Sequence, residues 1–169
     1  MQKRQFSMDR LGKDRWNGTM TRTVLILAIT ATGLMAGLFA AFSYAVMPGL
    51  RRADDHSFVS AMRAINAAIL NPVFGMLFAG ALILSVAAAV AGWRGEARWW
   101  LVAGAALYAA TVVITVGVNV PLNDALRDGT GSATTLRSAF ESSWTAWNLV
   151  RTATNVGAFV SLVVAALHE

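Results

Sequence analysis

The chain has 169 residues, of which 56% are hydrophobic and 14% are charged. Soluble domains average about 45–50% apolar and about 25% charged residues, so a soluble single-domain protein, a nucleic-acid binder and a disordered tail are poor interpretations. The absence of cysteine excludes disulfides, thiolate zinc sites, iron–sulfur clusters and cysteine nucleophiles. The composition predicts a membrane protein.

Four long stretches with few or no charged residues predict transmembrane helices. A helix rises about 1.5 Å per residue, so about 20 apolar residues cross the hydrocarbon core of a bilayer. The stretches are rich in alanine, leucine and valine without strict alternation, which favours helices over barrel strands. We predict an all-α, integral membrane four-helix bundle. A basic tail at residues 1–22 precedes a transmembrane domain at 23–169, with spans at about 24–47, 72–93, 99–120 and 147–167.

The connections between the spans differ in length on the two sides of the membrane. A short turn at residues 92–98 joins the second and third spans, whereas the other two connections, 48–71 and 121–146, have about 25 residues each. We expect a short helical segment in each long connection. Asp54 or Ser57 can cap the first segment, and a helix that starts near Thr134 can run on into the fourth span.

The distribution of lysine and arginine predicts the orientation. The N-terminal tail holds six basic residues and the 92–98 turn two more, while the opposite side carries six in longer loops that also contain five acidic residues. The positive-inside rule therefore places both termini in the cytoplasm and the protein in the cytoplasmic (inner) membrane. We expect the basic excess to bind anionic membrane lipid, with no nucleic-acid partner. A homo-oligomer stays open as an alternative.

Polar side chains gather near the predicted outer ends of the spans. Asparagines precede the second span, end the third span four residues apart, and begin the fourth span together with an arginine and two tryptophans. Helical residues three, four or seven apart share a face, so the members within one span point the same way. The set consists of Asn66, Asn71, Asn119, Asn123, Trp144, Trp147, Asn148, Arg151 and Asn155.

We predict that Asn66, Asn71, Asn119, Asn123, Asn148 and Arg151 converge on one cavity at the outer membrane boundary. An arginine at the centre of a span costs about 2.5–3.5 kcal/mol on insertion scales, so its presence needs a reason. The alternatives are an interfacial anchor for Arg151, a helix cap for Asn71 and an aromatic belt for the tryptophans. With two separated histidines and no cysteine, we expect no metal site.

Five motifs in this order resemble the anthrone-oxygenase-like family of small four-helix membrane proteins, many of whose bacterial members have no assigned function. They are residues 46–50 (VMPGL), 62–66 (MRAIN), 71–74 (NPVF), 119–123 (NVPLN) and 144–151 (WTAWNLVR). The resemblance covers roughly residues 24–167. It implies oxidation of an anthrone to an anthraquinone by molecular oxygen without metal or flavin, so no cofactor is expected.

That chemistry needs donors for a developing oxyanion and apolar walls for an aromatic plane. We expect Arg151, Asn148 and Asn119 to serve as the catalytic donors. The lipophilic aromatic or quinol-like ligand would contact the second set, which is Asn66, Asn71, Asn123, Trp144 and Trp147. A general base is the weak point, because Asp124, Asp128, Glu141 or His56 would have to reach in from the loops.

The alternative from a different class is a non-catalytic membrane protein. In it, the cluster of asparagine, tryptophan and arginine stabilises the bundle, or binds lipid or a partner subunit.

Overall fold

In the computed structural model the chain is a bundle of long helices. The structure describes the backbone of residues 2–168 and the side chains of residues 18–168, so most side chains of the predicted basic tail lie outside the described residues. The helices are α1 (Gln2–Ala41), α2 (Met47–Leu50), α3 (Asp55–Ile69), α4 (Pro72–Ala91), α5 (Arg98–Ile114), α6 (Val120–Asp128) and α7 (Ala133–Leu167). Two π-helical turns, π1 (Phe42–Val46) and π2 (Thr115–Asn119), join α1 to α2 and α5 to α6.

Four helical segments are long and apolar enough to cross a membrane, which confirms the predicted four-helix membrane bundle. They are Gly18–Leu50, Pro72–Ala91, Arg98–Asp128 and Ala133–Leu167. Even the shortest, with 20 residues, is about 30 Å long. We call the end with the turn between α4 and α5 the hairpin end, and the end that carries α3 the cap end. The 35-residue α7 is about 50 Å long, which exceeds the hydrocarbon thickness of a bilayer.

The first and third spans continue beyond residues 47 and 120, where the sequence predicted their ends. Pro48 and Pro121 follow those positions, and a proline has no N–H and collides with the carbonyl four residues before it. Each proline is the second residue after a π turn, and the residue between them closes that turn: Met47 N–H bonds to the Phe42 carbonyl and Val120 N–H to the Thr115 carbonyl. The widened turn lets the helix pass its proline without ending.

The first long connection contains the predicted helix, α3, which lies across the cap end. The carboxylate of Asp54 caps it by accepting a hydrogen bond from the Ser57 backbone N–H at 3.0 Å. Hydrogen bonds from the side chain and backbone of Ser57 hold the pKa of this carboxyl below its usual value. The second connection contains α6, which continues the third span as far as Asp128, and the start of α7, which begins at Ala133 and runs unbroken into the fourth span.

A polar network on α7 fastens the start of α3. The Arg137 guanidinium is largely buried and lies 4.6 Å from the Phe58 ring centroid. Its other contacts are hydrogen bonds to Glu141 at 2.7 Å, Asp55 at 3.1 Å, and the carbonyls of Ala53 at 2.8 Å and Arg51 at 2.9 Å. One side chain therefore holds the chain between α2 and α3 against α7.

The apolar core has three clusters stacked along the bundle. They centre on Leu101 at the hairpin end, on Phe39 and Tyr108 in the middle, and on Phe58 and Trp144 at the cap end. Buried polar side chains lie where the middle cluster meets the cap cluster. That level contains both π turns.

Candidate functional site

A layer of buried polar side chains crosses the bundle between the middle and cap clusters. Its members come from α5, π2 and α7: Thr111, Thr115, Asn119, Asn148, Arg151, Thr152 and Asn155. We call this set the polar layer. π-helical turns occur frequently at functional sites, and here π1 and π2 both face α7 at this level.

Arg151 is the charged member of the polar layer and is only 6% exposed. Its guanidinium carbon lies 4.3 Å from the Phe39 ring centroid and 5.2 Å from the Trp144 ring centroid. Cation–π contacts of this kind strengthen when the cation is removed from water. The Nε–H donates a hydrogen bond to Asn148 Oδ1 at 2.9 Å, which fixes the plane of the guanidinium.

Asn148 fixes Arg151 against the π1 region. Its Nδ2 donates to the Phe39 carbonyl at 3.2 Å and to Ser43 Oγ at 2.8 Å. The hydroxyls of Ser43 and Thr152 lie 3.3 Å apart, and Thr152 donates to the Asn148 carbonyl at 2.7 Å. Both side-chain donors of Asn148 thus connect α7 with α1 and π1, and its side-chain oxygen orients the arginine.

The terminal nitrogens of Arg151 have no partner among the residues whose side chains the structure describes. Within the described part of the chain, neither Nη1 nor Nη2 donates a hydrogen bond, and no carboxylate forms an ion pair with this guanidinium. A buried charge is expensive unless it is paired, and arginine stays protonated in proteins. The site therefore has a fixed positive charge with free donors and no protein anion.

Two buried amides of the polar layer also lack partners among the described residues. Asn119 and Asn155 are both fully buried, and Nδ2 and Oδ1 of each have no hydrogen-bond partner. Leaving one buried polar group unsatisfied costs about 1–3 kcal/mol, so four such atoms in one layer are unusual for a purely structural core. The side-chain hydrogen bonds Thr111–Thr154 and Asn123–Trp144, both 2.8 Å, place Asn119 between them on the wall opposite α7.

A small cavity of about 110 Å³ opens between α3 and α6 at the cap end. Asn66 and Asn123 both line it, together with Arg63, Asp124 and Arg127. Asn123 also accepts the hydrogen bond from the indole N–H of Trp144. Trp144 thus lies between the cap-end cavity and Arg151.

Two of the candidate residues lie apart from the rest. Asn71 caps α4, since its side chain accepts from the Phe74 backbone N–H and donates to the Ala68 carbonyl, both at 3.0 Å. Trp147 is 41% exposed on the outer surface of α7. The predicted set thus divides into the polar layer, the cap-end cavity, a helix cap and an exposed aromatic ring.

A family model described as anthrone oxygenase matches residues 62–161. That stretch is more than half of the chain and contains every asparagine, tryptophan and arginine of the predicted site. The chain belongs to the anthrone oxygenase family. No curated protein and no solved structure matches it.

The four side chains that the sequence of this anthrone oxygenase family member offered as a general base lie away from Arg151. Asp124 and Asp128 pair with Arg127 at 2.6 and 2.9 Å, and Glu141 pairs with Arg137. His56 lines another cavity at the cap end, of about 260 Å³. Among the described residues, no three His, Asp or Glu side chains group together as metal ligands. The sequence candidates for a general base therefore do not contact the polar layer.

The site also contains residues to which the sequence assigned no role. Phe39 and Ser43 come from α1 and π1, outside the matched family region. Ser43 is a hydroxyl in an otherwise apolar stretch before Pro48, which is a recognisable signal. No sequence feature marked Phe39, because this part of α1 is apolar on all sides and only the packing shows which face meets α7. Asn155 shared the face of Arg151 in the sequence but had no assigned function.

Proposed function

We propose that this anthrone oxygenase family member binds a lipophilic aromatic molecule with an ionisable hydroxyl, and supports oxidation of that molecule by dioxygen. The observation that carries the proposal is the buried guanidinium of Arg151, which pairs with no anion among the described residues and lies against two aromatic rings. The oxyanion of the substrate would supply the missing negative charge.

Arg151 favours ionisation of the substrate through its charge. An opposite charge within a few ångströms stabilises the anionic form of a phenol, and the effect increases where water is excluded. No general base is required beside the ring if the hydroxyl ionises as it binds. This agrees with the absence of contacts between the polar layer and the four candidate bases, Asp124, Asp128, Glu141 and His56.

The oxidation itself uses electrons of the substrate. The bound enolate passes one electron to dioxygen, and the resulting carbon radical and superoxide join in a new C–O bond to give a peroxide. The peroxide takes up one proton. The same carbon then loses its remaining hydrogen as a proton while the O–O bond breaks, which leaves a carbonyl and one water. Arg151 holds the ring oxygen throughout and keeps its negative charge localised, while Asn148 fixes the plane of the guanidinium.

The aromatic side chains provide the walls of the site. Phe39 and Trp144 lie against the guanidinium and can stack on a planar ring system in the same slot. Arg151 is enclosed, so a ligand reaches it when Trp144 moves toward the cap-end cavity, and this motion breaks the hydrogen bond to Asn123. An enclosed site also keeps water away from the radical pair.

Oxygen uptake tests this function. We would add 1,8-dihydroxyanthrone to the protein in nanodiscs and compare the wild type with Arg151→Met, using empty nanodiscs for the uncatalysed rate. The wild type should consume oxygen at least tenfold faster than the empty discs, and R151M should fall to their rate. Ser161→Ala is the matched control, because Ser161 is a buried residue of α7 that bonds only within its own helix. Equal rates in wild type and R151M would refute the proposal.

A second candidate function is structural, and one observation favours it. Asn148 bonds to the Phe39 carbonyl and to Ser43, so part of the polar layer ties α1 to α7. In this reading Arg151 would stabilise the bundle by cation–π contacts alone. Oxygen uptake and thermal unfolding of R151M together separate the two functions. A structural role predicts that R151M unfolds at a lower temperature than the wild type and that neither protein oxidises the anthrone faster than the background.

We also propose that the cap end faces the outside of the cytoplasmic membrane. The support is the excess of arginine and lysine at the other end and the long connections at this one. The polar layer would then lie toward the outer leaflet, within reach of lipophilic molecules dissolved in the bilayer.

A further inference from the structure

The two unpaired amides of the polar layer are not used by the proposed function. Asn155 is fully buried, and both of its polar side-chain atoms lack a partner, which also holds for Asn119. A fully buried amide with both ends free is expensive for the fold, so a bound group that satisfies it is the expected explanation. An amide both donates and accepts, so it can bond a carbonyl and a hydroxyl oxygen equally.

The position of Asn155 relative to Arg151 follows from the helix they share. Asn155 is four residues further along α7, so it lies on the same face, about 6 Å deeper toward the hairpin end. Both side chains are buried and therefore point into the bundle. This separation of about 6 Å is between the two Cα atoms, and the Arg151 guanidinium reaches further toward the cap end, where it bonds Asn148 and lies against Trp144. The two groups are thus far enough apart to contact, from opposite ends, two oxygens on opposite carbons of one six-membered ring.

We infer that Asn155 binds a second oxygen of the aromatic ligand, opposite the oxygen held by Arg151. The site then selects rings with two opposed oxygens, and its amide serves the hydroxyl and the carbonyl form alike. In the oxidation proposed above, the new oxygen is added to the carbon opposite the existing oxygen. Asn155 therefore meets the oxygen that the reaction introduces. This assignment rests on the proposed function, since it takes Arg151 as the partner of the first oxygen.

Asn119 is the alternative partner for the second oxygen. It lies on π2 between the contacts that join Thr111 to Thr154 and Asn123 to Trp144, which places it toward the cap end of Arg151. Trp144 fills much of the space on that side, because it is 2% exposed and packs against Phe42 and Phe140. We therefore place the second oxygen on the hairpin side, at Asn155.

Ligand binding tests this assignment without any turnover. The dissociation constants of anthrone, with one oxygen, and 9,10-anthraquinone, with two opposed oxygens, are measured under argon in nanodiscs, with empty discs as background. A site with an unpaired buried amide discriminates against a ligand that lacks the matching oxygen. The wild type should prefer the anthraquinone about tenfold or more. Asn155→Leu should lose this preference and still bind anthrone as the wild type does, while Ser161→Ala should keep the preference.

The outcomes separate the inference from the function beneath it. If Arg151→Met abolishes binding of both ligands while Asn155→Leu keeps the preference, the inference is wrong and the proposed function stands. If Asn119→Leu loses the preference in place of Asn155→Leu, the second oxygen lies on the cap side and the inference is again overturned. If neither ligand binds the wild type above the empty discs, both fail. Should Asn155→Leu not fold, Asn155→Ala is measured against the same two ligands with the same criteria.

Discussion

At the scale of single residues, the polar layer contains groups that stabilise the fold and groups whose burial costs free energy of folding. Asn148 is satisfied by Phe39, Ser43 and Arg151. Arg151, Asn119 and Asn155 have polar atoms without protein partners in the described structure. Proteins often carry such a cost where a ligand binds, because the ligand completes the hydrogen bonds.

This difference predicts opposite stability effects for two neighbours on α7. The charge of Arg151 has no anion in the described structure to offset its desolvation, so ligand-free Arg151→Met, which removes that charge and loses one hydrogen bond to Asn148, should unfold at the wild-type temperature or above it. Asn148→Leu leaves buried partners unsatisfied and should lose about 1–3 kcal/mol. Thermal unfolding of both variants in detergent checks this. A loss of stability in R151M as large as that in N148L would favour the structural role.

The sequence indicated these residue types but not their arrangement. The i, i+3, i+7 spacing correctly grouped Asn148, Arg151 and Asn155 on one face, because that spacing depends only on the helix period. It did not separate Asn71, whose amide caps α4, from the asparagines of the polar layer. A cap and a ligand contact require the same residue type near a helix end, and only the three-dimensional packing distinguishes them.

At the scale of elements, α3 and the start of α7 form a cap over the polar layer. The cap is held by apolar packing around Phe58 and Trp144 and by the guanidinium of Arg137, which reaches the chain between α2 and α3. Arg63 closes the other side, because it donates to the carbonyls of Leu126 and Gly129 at 2.9 and 2.8 Å. These two arginines anchor α3 to both of its neighbours.

Arg137→Ala should therefore loosen the cap. Its guanidinium is largely buried, and its removal leaves the carbonyls of Ala53 and Arg51 without their donor and takes one of two arginine partners from Glu141, so we expect a loss of about 1–3 kcal/mol. Arg127→Ala is the matched control, because Arg127 is exposed and pairs only with nearby Asp124 and Asp128, an interaction worth at most about 1 kcal/mol. Thermal unfolding measures both variants. Equal losses would show that the Arg137 contacts do not hold the cap.

The helices themselves were predictable, and their ends less so. Charge-free stretches of sufficient length identify spans because the bilayer admits few other structures. The prolines at 48 and 121 suggested ends that the π turns bypass. A π turn has no clear sequence signal of its own, so the continuation of both spans into the cap was not predicted.

At the scale of the whole molecule, the four spans and two long connections place all candidate site residues in the cap-end half. The hairpin end contains a short turn and an apolar cluster around Leu101. One half thus holds the bundle together, and the other carries the polar layer, its cover and its cavities. This separation could be predicted, because the asparagines all lie near the same ends of the predicted spans.

Single cysteines test the proposed orientation, since the chain has none of its own. Thr130→Cys lies in the exposed loop before α7, and Glu96→Cys lies in the hairpin turn. In intact cells an impermeant maleimide should label the first and not the second, and both should react after the membrane is opened. Labelling of Glu96→Cys alone in intact cells would reverse the assignment of the two ends.

The central claim is that Arg151 stabilises the oxygen anion of a bound aromatic ligand. Its most direct test is the pKa of the hydroxyl of bound 2-hydroxyanthraquinone, followed by the absorption change on ionisation. Bound to the wild type, this pKa should fall by about one unit or more below that of the free dye, because a fixed cation favours the anion. Bound to Arg151→Met, it should stay at the free value or rise, because an apolar site disfavours the anion. The same pKa in both proteins, or a rise in the wild type, would contradict the account.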